Sequence, residues 1–305
     1  MGVNEAAAVP EPARLHRVAV LGLGLIGGSL ARALLAGRRT TGTDVVGWDL
    51  DPTTRVAAQQ AGVATVDDPA EIGDVDLVVL AVPLRAMARI AAVVAPAVGA
   101  GTTVTDVGSV KGPVRAAVAA VGLGEQYVGA HPMAGTEHVG FAASSPTLLA
   151  GATWAVTPAA DAATPPPAGN HLARVLALVD AVGGTPLLLT DDVHDEATAL
   201  ISHVPHVVAT GLLSNLVDSE VRDVALALSA GSFRDGTRVG RTDPRRTQAM
   251  VEDNGAQVAV VVRAMAADLV SLADDLEAGR PTDWFFDRPE PVRALLREAT
   301  SSPCD

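Results

Sequence analysis

The sequence predicts an α/β fold in which a doubly wound parallel sheet is followed by an all-helical domain. Two observations predict it. From Arg17 onward, short β-branched runs alternate with longer Ala-rich segments, which is the rhythm of βαβ units. After Asp191, apolar residues recur three and four positions apart, which is the period of an amphipathic helix. We therefore expect one domain over residues 14–190 and a second over residues 191–290.

The strands are predicted where β-branched and apolar residues form short runs typical of a buried parallel sheet. In chain order they are Arg17–Leu21, Asp44–Trp48, Leu77–Ala81, Thr103–Asp106, Tyr127–Ala130, Thr153–Thr157 and Thr185–Leu189. The segment Pro158–Asn170 contains four prolines among small and polar residues. It is predicted to be a surface loop, because proline disrupts both helix interiors and central strands.

The helices of the second domain are predicted from their apolar spacing. The segments are Ala197–Val217, Val221–Leu228 and Arg245–Leu276. A stop signal follows at Gly279, and the tail beyond it is expected to be mostly irregular. The apolar stretch Val258–Leu276 is longer than a small domain can bury alone, so we expect a homodimer that exchanges helices.

Composition and charge exclude several classes of partner. The chain has 305 residues, of which 49% are hydrophobic and 19% charged, which suits two globular cores. The net charge of −13 opposes attraction to nucleic acid, so no nucleic-acid partner is expected. Apolar runs such as Val75–Leu84 are shorter than the roughly 20 residues that span a bilayer. We therefore expect no membrane association.

The cysteine content and the N-terminal residues indicate a cytoplasmic protein. Cys304 is the only cysteine, which excludes an intrachain disulfide and a cysteine-based metal site. Residues 1–14 lack the apolar core of a signal peptide. We expect the chain to remain in a reducing compartment.

A glycine-rich turn joins the first strand to a helix-forming segment. The turn is GLGLIG, residues 22–27. In this pattern the first glycine permits a tight turn, the second lets the backbone approach a pyrophosphate, and the third lets helix and strand pack closely. This is the fingerprint of a Rossmann-type dinucleotide-binding domain. The predicted cofactor-binding residues here are Gly22, Gly24, Leu25, Ile26 and Gly27, with Val82 and Pro83 after the third predicted strand.

Asp49 ends the second predicted strand, about 20 residues beyond the last glycine. A carboxylate at this position accepts hydrogen bonds from the adenosine ribose and repels a 2′-phosphate, which favours NAD over NADP. Arg55 is close enough in sequence to leave NADP open. The alternative for Asp49 is a solvated turn residue.

Ser109 and His131 follow two predicted strands at their carboxyl ends. Ser109 lies in DVGSVKG (residues 106–112), and His131 begins HPMAGTE (residues 131–137). The carboxyl ends of parallel strands line the ligand crevice of such sheets. Oxidation of a carbinol needs a base for the hydroxyl proton, and an imidazole performs this at neutral pH. Taken alone, each residue could equally be an ordinary loop residue.

Two further motifs lie in the helical half: ISHVPH, residues 201–206, and GSFRDGTR, residues 231–238. With the glycine, serine and histidine motifs, in this order, they resemble the prephenate/arogenate dehydrogenase family across residues 17–280. The resemblance implies an NAD-dependent oxidative decarboxylation in tyrosine biosynthesis, in which hydride passes to NAD, carbon dioxide leaves and the ring becomes aromatic. The choice between prephenate, giving 4-hydroxyphenylpyruvate, and arogenate, giving tyrosine, stays open.

The resemblance also implies roles for individual residues. His131 would be the catalytic histidine on the substrate hydroxyl, and Ser109, which also contacts the cofactor, would assist it. Arg238 would bind a substrate carboxylate, a task that suits the planar guanidinium. The further implied substrate-binding residues are Thr136, His206, His203 and Arg234, and the implied gating acids are Glu137 and Asp235.

One position departs from the family pattern. Many members carry a tryptophan where this chain has Thr247, so inhibition by tyrosine cannot be assumed, whereas Asp253 and Asn254 keep the usual pattern. The spacing of His203 and His206 is compatible with a metal, but no carboxylate or cysteine follows at a recognised spacing. We expect no metal.

Two other functions suit a chain with this domain plan. Dehydrogenases of β-hydroxy acids with the same plan use a lysine on the first helix of the second domain, but Lys111 is the only lysine here and lies in the serine motif. A non-catalytic NAD sensor would not need Ser109 and His131, and both are present. A dehydrogenase of the prephenate/arogenate type is therefore the preferred prediction.

Overall fold

The computed structural model describes residues 10–136, 138–163 and 169–301. They fall into two compact units that divide between Asn254 and Gly255. The first unit contains both β-sheets and the helical residues up to Asn254, and the second is helical. The domain boundary predicted after residue 190 remains a prediction.

The first sheet is parallel throughout and has five strands in the order β3-β2-β1-β4-β5. The strands are β1 (Arg17–Leu21), β2 (Asp44–Trp48), β3 (Ala64–Thr65), β4 (Leu77–Leu80) and β5 (Thr103–Asp106). Strand β3 was not predicted, because two residues are too few to produce an apolar pattern. The other four strands and the Rossmann-type parallel sheet are confirmed.

Helices cover both faces of this sheet. They are α1 (Leu25–Thr41), α2 (Pro52–Gln60), α3 (Leu84–Val94), α4 (Gly112–Ala119) and α5 (His171–Ala181). Alternate residues of each central strand enter different cores, since Val18 and Val20 pack in one cluster while Ala19 and Leu21 pack in the other. This two-sided burial explains why the strands are apolar without alternation.

The second sheet has three strands in the order β6-β7-β8. They are β6 (Gly129–Pro132), β7 (Thr153–Ala159) and β8 (Thr185–Thr190). The expectation that every strand is parallel is wrong for β6, which runs antiparallel to β7. A parallel crossover needs a long connection that usually contains an α-helix. Between β6 and β7, the described residues contain only a short 3-10 turn, Phe141–Ala143.

The proline-rich segment predicted as a loop is only partly described. Strand β7 extends into it as far as Ala159, while residues 160–163 and 169–170 form bends and turns. Residues 164–168 lie outside the described residues.

The helical residues of the first unit follow β8 directly. The helices are α6 (Asp191–Thr198), α7 (Val204–Ser214), α8 (Arg222–Ala227), α9 (Gly231–Thr237) and α10 (Pro244–Asp253). A π-helical turn, Ala199–His203, joins α6 to α7. Pro205 lies in the first turn of α7 and has no N–H to donate, so a regular α-helical ladder cannot run through this point.

The second unit consists of α11 (Gly255–Glu277), α12 (Asp283–Asp287) and α13 (Glu290–Ser301). The expectation of a mostly irregular tail is therefore wrong. Glu290 accepts from Arg297 at 2.5 Å and pairs with Arg293, which supports α13 at its first turns. Arg280 and the indole of Trp284 both donate to Asp275, which ties the turn after α11 back to that helix.

Two helical stretches, Asp191–Ser214 and Gly255–Glu277, are long and apolar enough to cross a membrane by length and composition alone. Both stretches overlap helices predicted from the sequence, but polar or charged residues interrupt them, so neither contains an unbroken apolar run of about 20 residues. The second stretch carries large exposed side chains, including Val260, Leu269 and Val270. Such a surface is also typical of a helix that packs against another protein chain.

Candidate active site

A cleft of about 700 Å³ lies at the carboxyl edge of the parallel sheet in the first unit. The predicted cofactor residues that line it are Gly22, Gly24, Leu25, Ile26, Asp49, Val82 and Pro83. Gly27 and Ser109 are not among the lining residues. Arg89 of α3 and Arg246 of α10 also line the cleft, and the sequence analysis did not assign either of them.

The three glycines differ in how their backbone is confined. Gly22 has a φ of 101°, and a Cβ there would come within 2.5 Å of the Ala81 carbonyl oxygen. A Cβ on Gly27 would lie 1.9 Å from the carbonyl oxygen of Gly22. A Cβ on Gly24 would meet no atom within 4 Å. Gly22 and Gly27 are therefore needed to form the turn, whereas Gly24 leaves a cradle that admits a ligand close to the backbone.

The N-terminus of α1 opens into the same cleft. Helix α1 begins at Leu25, and no side chain caps it at Gly24. The first N–H groups of a helix have no partner within the helix and carry partial positive charge, which suits a phosphate. Together with the cradle at Gly24, these groups fit the pyrophosphate of a dinucleotide.

Asp49 lies at the rim of the cleft with both carboxylate oxygens anchored. They accept hydrogen bonds from the backbone N–H groups of Leu23 at 2.8 Å and Asp51 at 2.9 Å. The guanidinium of Arg55 donates to the carbonyl of Asp49 at 2.7 Å and to Asp67 at 3.2 Å. Arg55 is thus engaged with the protein itself, so the local groups favour the free ribose of NAD over a 2′-phosphate.

His131 lies on β6 and contacts a second histidine. Its Nδ1 atom is 3.0 Å from Nε2 of His194, and Nδ1 of His194 is 2.8 Å from Oδ1 of Asp195. His131 is partly buried, while His194 and Asp195 are buried. Among the described residues, Nε2 of His131 makes no hydrogen bond.

Asp195 also holds the loop that carries Ser109. The backbone N–H groups of Lys111 and Gly112 donate to its two oxygens at 2.8 and 2.9 Å. Burial would raise the pKa of Asp195, but the hydrogen bonds from His194, Gly112 and Lys111 outweigh burial and lower the pKa below its ordinary value. Asp195 is therefore a carboxylate at neutral pH. Within the described structure, Ser109 makes no side-chain hydrogen bond.

A buried ion pair lies beneath the loop. The ammonium of Lys111 pairs with Asp106 and donates to the carbonyl of Ala130 at 2.8 Å, and the Tyr127 hydroxyl donates to Asp106 at 2.7 Å. Burial lowers the pKa of His131 well below its ordinary value, and the charge of Lys111 lowers it further. His131 is thus a neutral imidazole near pH 7 and is able to accept a proton.

His203 ends the π-helical turn, and His206 lies in the first turn of α7. His203 is buried, and burial lowers its pKa to about 4. Burial also lowers the pKa of His206; a hydrogen bond with the Val239 backbone opposes this, and the positive charges of Arg246 and Arg238 lower the pKa further. The structure therefore brings Arg238 near His206, and His203 near His131. Among the described residues, no hydrogen bond joins Arg238 to His131.

The remaining predicted residues are on the surface. Thr136, Arg234, Asp235 and Arg238 are exposed, and the Thr136 hydroxyl accepts from the backbone N–H of His138 at 3.2 Å. Glu137 lies outside the described residues. In the part of the chain that the structure describes, no group of three His, Cys, Asp or Glu residues is arranged to hold a metal ion.

His194 and Asp195 were not predicted as site residues. They lie in α6, which follows β8 directly, but β8 is exposed to half-buried, so the signal that revealed Ser109 and His131, a polar residue after a buried strand, was absent here. Residue 191 was also interpreted as the start of a separate helical domain.

The glycine turn and the Asp49 carboxylate at the edge of the parallel sheet, together with the neutral His131 on β6, define a nicotinamide-dinucleotide-dependent dehydrogenase. The nucleotide-binding domain model of prephenate dehydrogenase matches residues 30–184, and the dimerization domain model of prephenate dehydrogenase matches residues 190–285. The chain belongs to the prephenate dehydrogenase family.

Individual relatives agree with this assignment. The chain is 34% identical to a cyclohexadienyl dehydrogenase of Zymomonas mobilis over 84% of its own length and 86% of the relative's. The crystal structure of Aquifex aeolicus prephenate dehydrogenase in complex with hydroxyphenyl propionate and NAD+ has a TM-score of 0.81 and 27% identity, covering 92% of this chain and 98% of that one. Synechocystis arogenate dehydrogenase has a TM-score of 0.74 and 26% identity, covering 93% and 98%.

Proposed function

We propose that this chain catalyses the NAD-dependent oxidative decarboxylation of prephenate to 4-hydroxyphenylpyruvate in tyrosine biosynthesis. Membership of the prephenate dehydrogenase family supports the reaction. The single structural observation that carries the proposal is His131, a neutral base on β6 whose Nε2 makes no hydrogen bond among the described residues. A base is needed because the carbinol must lose its proton as well as its hydride.

Each implied residue has a part in this reaction. When bound, NAD supplies the acceptor for the hydride. His131 takes the hydroxyl proton, and Ser109 hydrogen-bonds the same oxygen. Arg238 binds a carboxylate of the substrate through its guanidinium fork, with Thr136, His203, His206 and Arg234 around it. Glu137 and Asp235 control entry through ion pairing at the mouth of the site.

The second candidate substrate is arogenate, which carries an amine where prephenate carries a ketone. The similarity to the Synechocystis arogenate dehydrogenase supports arogenate as a candidate substrate. Residues that meet the side chain of the substrate decide between the two, and Thr247, which replaces a bulky aromatic residue, lies in the helix that also brings Arg246 to the cleft.

We further propose that the enzyme is a cytoplasmic homodimer with an NAD-binding domain over residues 14–190 and a helical domain over residues 191–290. The match to a dimerization domain and the exposed apolar residues of α11 support this assembly. Val270 is 62% exposed, so Val270→Asp places a charge on that surface and is expected to yield monomers by light scattering. Asp274→Asn on the same helix is the control and should remain dimeric. A wild-type monomer would contradict the assembly.

The activity is tested by mixing the purified chain with each substrate and each cofactor. NADH formation with prephenate and NAD, at a higher kcat/KM than with arogenate or with NADP, is the expected result. Turnover only with arogenate would select the second candidate. Cofactor binding without NADH formation from either substrate would identify a sensor and refute the proposal.

A further inference from the structure

The histidine that follows β8 contacts the catalytic histidine through one nitrogen and a carboxylate through the other. The two contacts are the 3.0 Å separation between His194 Nε2 and His131 Nδ1 and the 2.8 Å separation between His194 Nδ1 and Asp195 Oδ1. The hydrogen positions in this row of three side chains are inferred from the groups at either end, His131 and Asp195. The role of Asp195 is fixed, because an ionised carboxylate only accepts hydrogen bonds.

The charge of Asp195 sets the direction of the two hydrogen bonds that link Asp195, His194 and His131. The pKa of Asp195 is lowered, so the group is ionised and can only accept. Nδ1 of His194 must therefore carry a proton and donate it to Asp195. In the neutral form of His194 the other nitrogen, Nε2, carries the lone pair and accepts a hydrogen bond.

The same logic then applies to His131. Because Nε2 of His194 accepts, Nδ1 of His131 must donate. The proton of neutral His131 is then on Nδ1, and its lone pair is on Nε2, the atom that makes no hydrogen bond among the described residues. We propose that His194 and Asp195 are positioning residues that hold His131 in the one tautomer that can accept the substrate proton through Nε2.

Asp195 also holds the loop that carries Ser109. Its oxygens also accept from the backbone N–H groups of Lys111 and Gly112, in the loop that carries Ser109. Asn254 donates to the backbone carbonyl of Asp195 at 2.8 Å and holds it from a third direction. The orientation of the base and the placement of the serine loop thus depend on one carboxylate.

Two substitutions of His194 separate the contacts. Glutamine places its terminal amide near the position of Nε2, so His194→Gln keeps an acceptor for His131 and loses the donor to Asp195. Asparagine places its amide near the position of Nδ1, so His194→Asn keeps a donor for Asp195 and loses the acceptor for His131. If His194 fixes the tautomer of His131, kcat should fall about 100-fold in His194→Asn, whereas in His194→Gln it should stay within about tenfold of wild type. This kinetic test rests on the proposed function. KM for prephenate and Kd for NAD should change less than about threefold in both.

Equal kcat in wild type and both variants would overturn the proposal, and so would an equal loss in both, which indicates a structural role. Thermal unfolding of both variants is measured alongside. If a variant does not fold, nitrogen NMR of the wild-type protein provides the test.

A second readout does not depend on substrate. Nitrogen NMR of the ¹⁵N-histidine-labelled full-length protein at neutral pH assigns the protonated nitrogen of His131. A protonated Nδ1 is expected, and a protonated Nε2 would overturn the proposal. If wild type shows the expected tautomer but does not oxidise prephenate or arogenate, the proposed function fails while this inference stands.

Discussion

The side-chain amide of Asn254 lies 3.0 Å from Nδ1 of His203, and both residues are buried. The amide nitrogen can only donate, so Nδ1 of His203 accepts and the ring is neutral. Nε2 of His203 has no partner among the described residues. Protonation would turn the acceptor into a donor facing a donor, which agrees with the pKa of about 4.

This arrangement predicts a loss of stability in acid. The pKa of His203 is about 4 in the folded protein, against 6.5 for an ordinary histidine, so between these values the unfolded chain binds a proton at His203 and the folded protein does not. The unfolding free energy therefore falls as the pH decreases through this window, by roughly 1–3 kcal/mol from this residue. Urea titrations across the window should show a shallower fall for His203→Gln than for wild type. Parallel pH curves for the two proteins would contradict the prediction.

The glycine turn predicts different effects at its second and third glycines. Gly24→Ala should fold normally, because its Cβ meets no atom within 4 Å, but its Kd for NAD should rise about tenfold or more as the methyl enters the cradle. Gly27→Ala should lower the melting temperature by several degrees, because its Cβ would lie 1.9 Å from the Gly22 oxygen. Calorimetry and quenching of the fluorescence of Trp48, which lines the cleft, measure both quantities. Unchanged NAD affinity in Gly24→Ala would refute the placement of the pyrophosphate.

The rim of the cleft predicts the basis of cofactor preference. Asp49→Ser should raise the NADP-to-NAD ratio of kcat/KM about tenfold or more, because it removes both the ribose acceptor and the charge that repels a 2′-phosphate. Arg55→Gln is the comparison variant, and its ratio should match wild type because its guanidinium already contacts the Asp49 carbonyl and Asp67. A drop in NADP turnover in Arg55→Gln would show that this arginine serves the phosphate after all.

Arg238 should act on substrate binding and not on the cofactor. Arg238→Gln removes a charge-assisted pair with a substrate carboxylate, so KM for prephenate should rise about 10- to 100-fold while Kd for NAD stays the same. Arg222, an exposed residue paired with Asp223, provides the control substitution Arg222→Gln. Equal KM values in the two variants would remove Arg238 from the site.

Sequence reasoning identified the parts of this molecule that follow from local patterns. Strands β1 and β2 were predicted to the residue, because both faces of the sheet are buried and the apolar runs end sharply. The direction of β6 was predicted wrongly, since apolar content records burial and not orientation. The helical tail was missed because its apolar side chains are exposed and separated by charges.

The candidate site was only partly visible for a related reason. Ser109 follows β5 and was found by position, whereas His131, expected just after its strand, lies within β6 near its carboxyl end. His194 and Asp195 matter through contacts with residues far away in sequence, and spacing alone does not reveal such contacts.

The account depends most directly on His131 as the proton acceptor, and His131→Asn tests it. The asparagine amide can still donate to His194 as Nδ1 does, but the variant lacks Nε2, so folding and NAD affinity should be retained. Steady-state NADH formation from prephenate is predicted to fall about 10²- to 10⁴-fold with Kd for NAD unchanged. Turnover within tenfold of wild type would contradict the account.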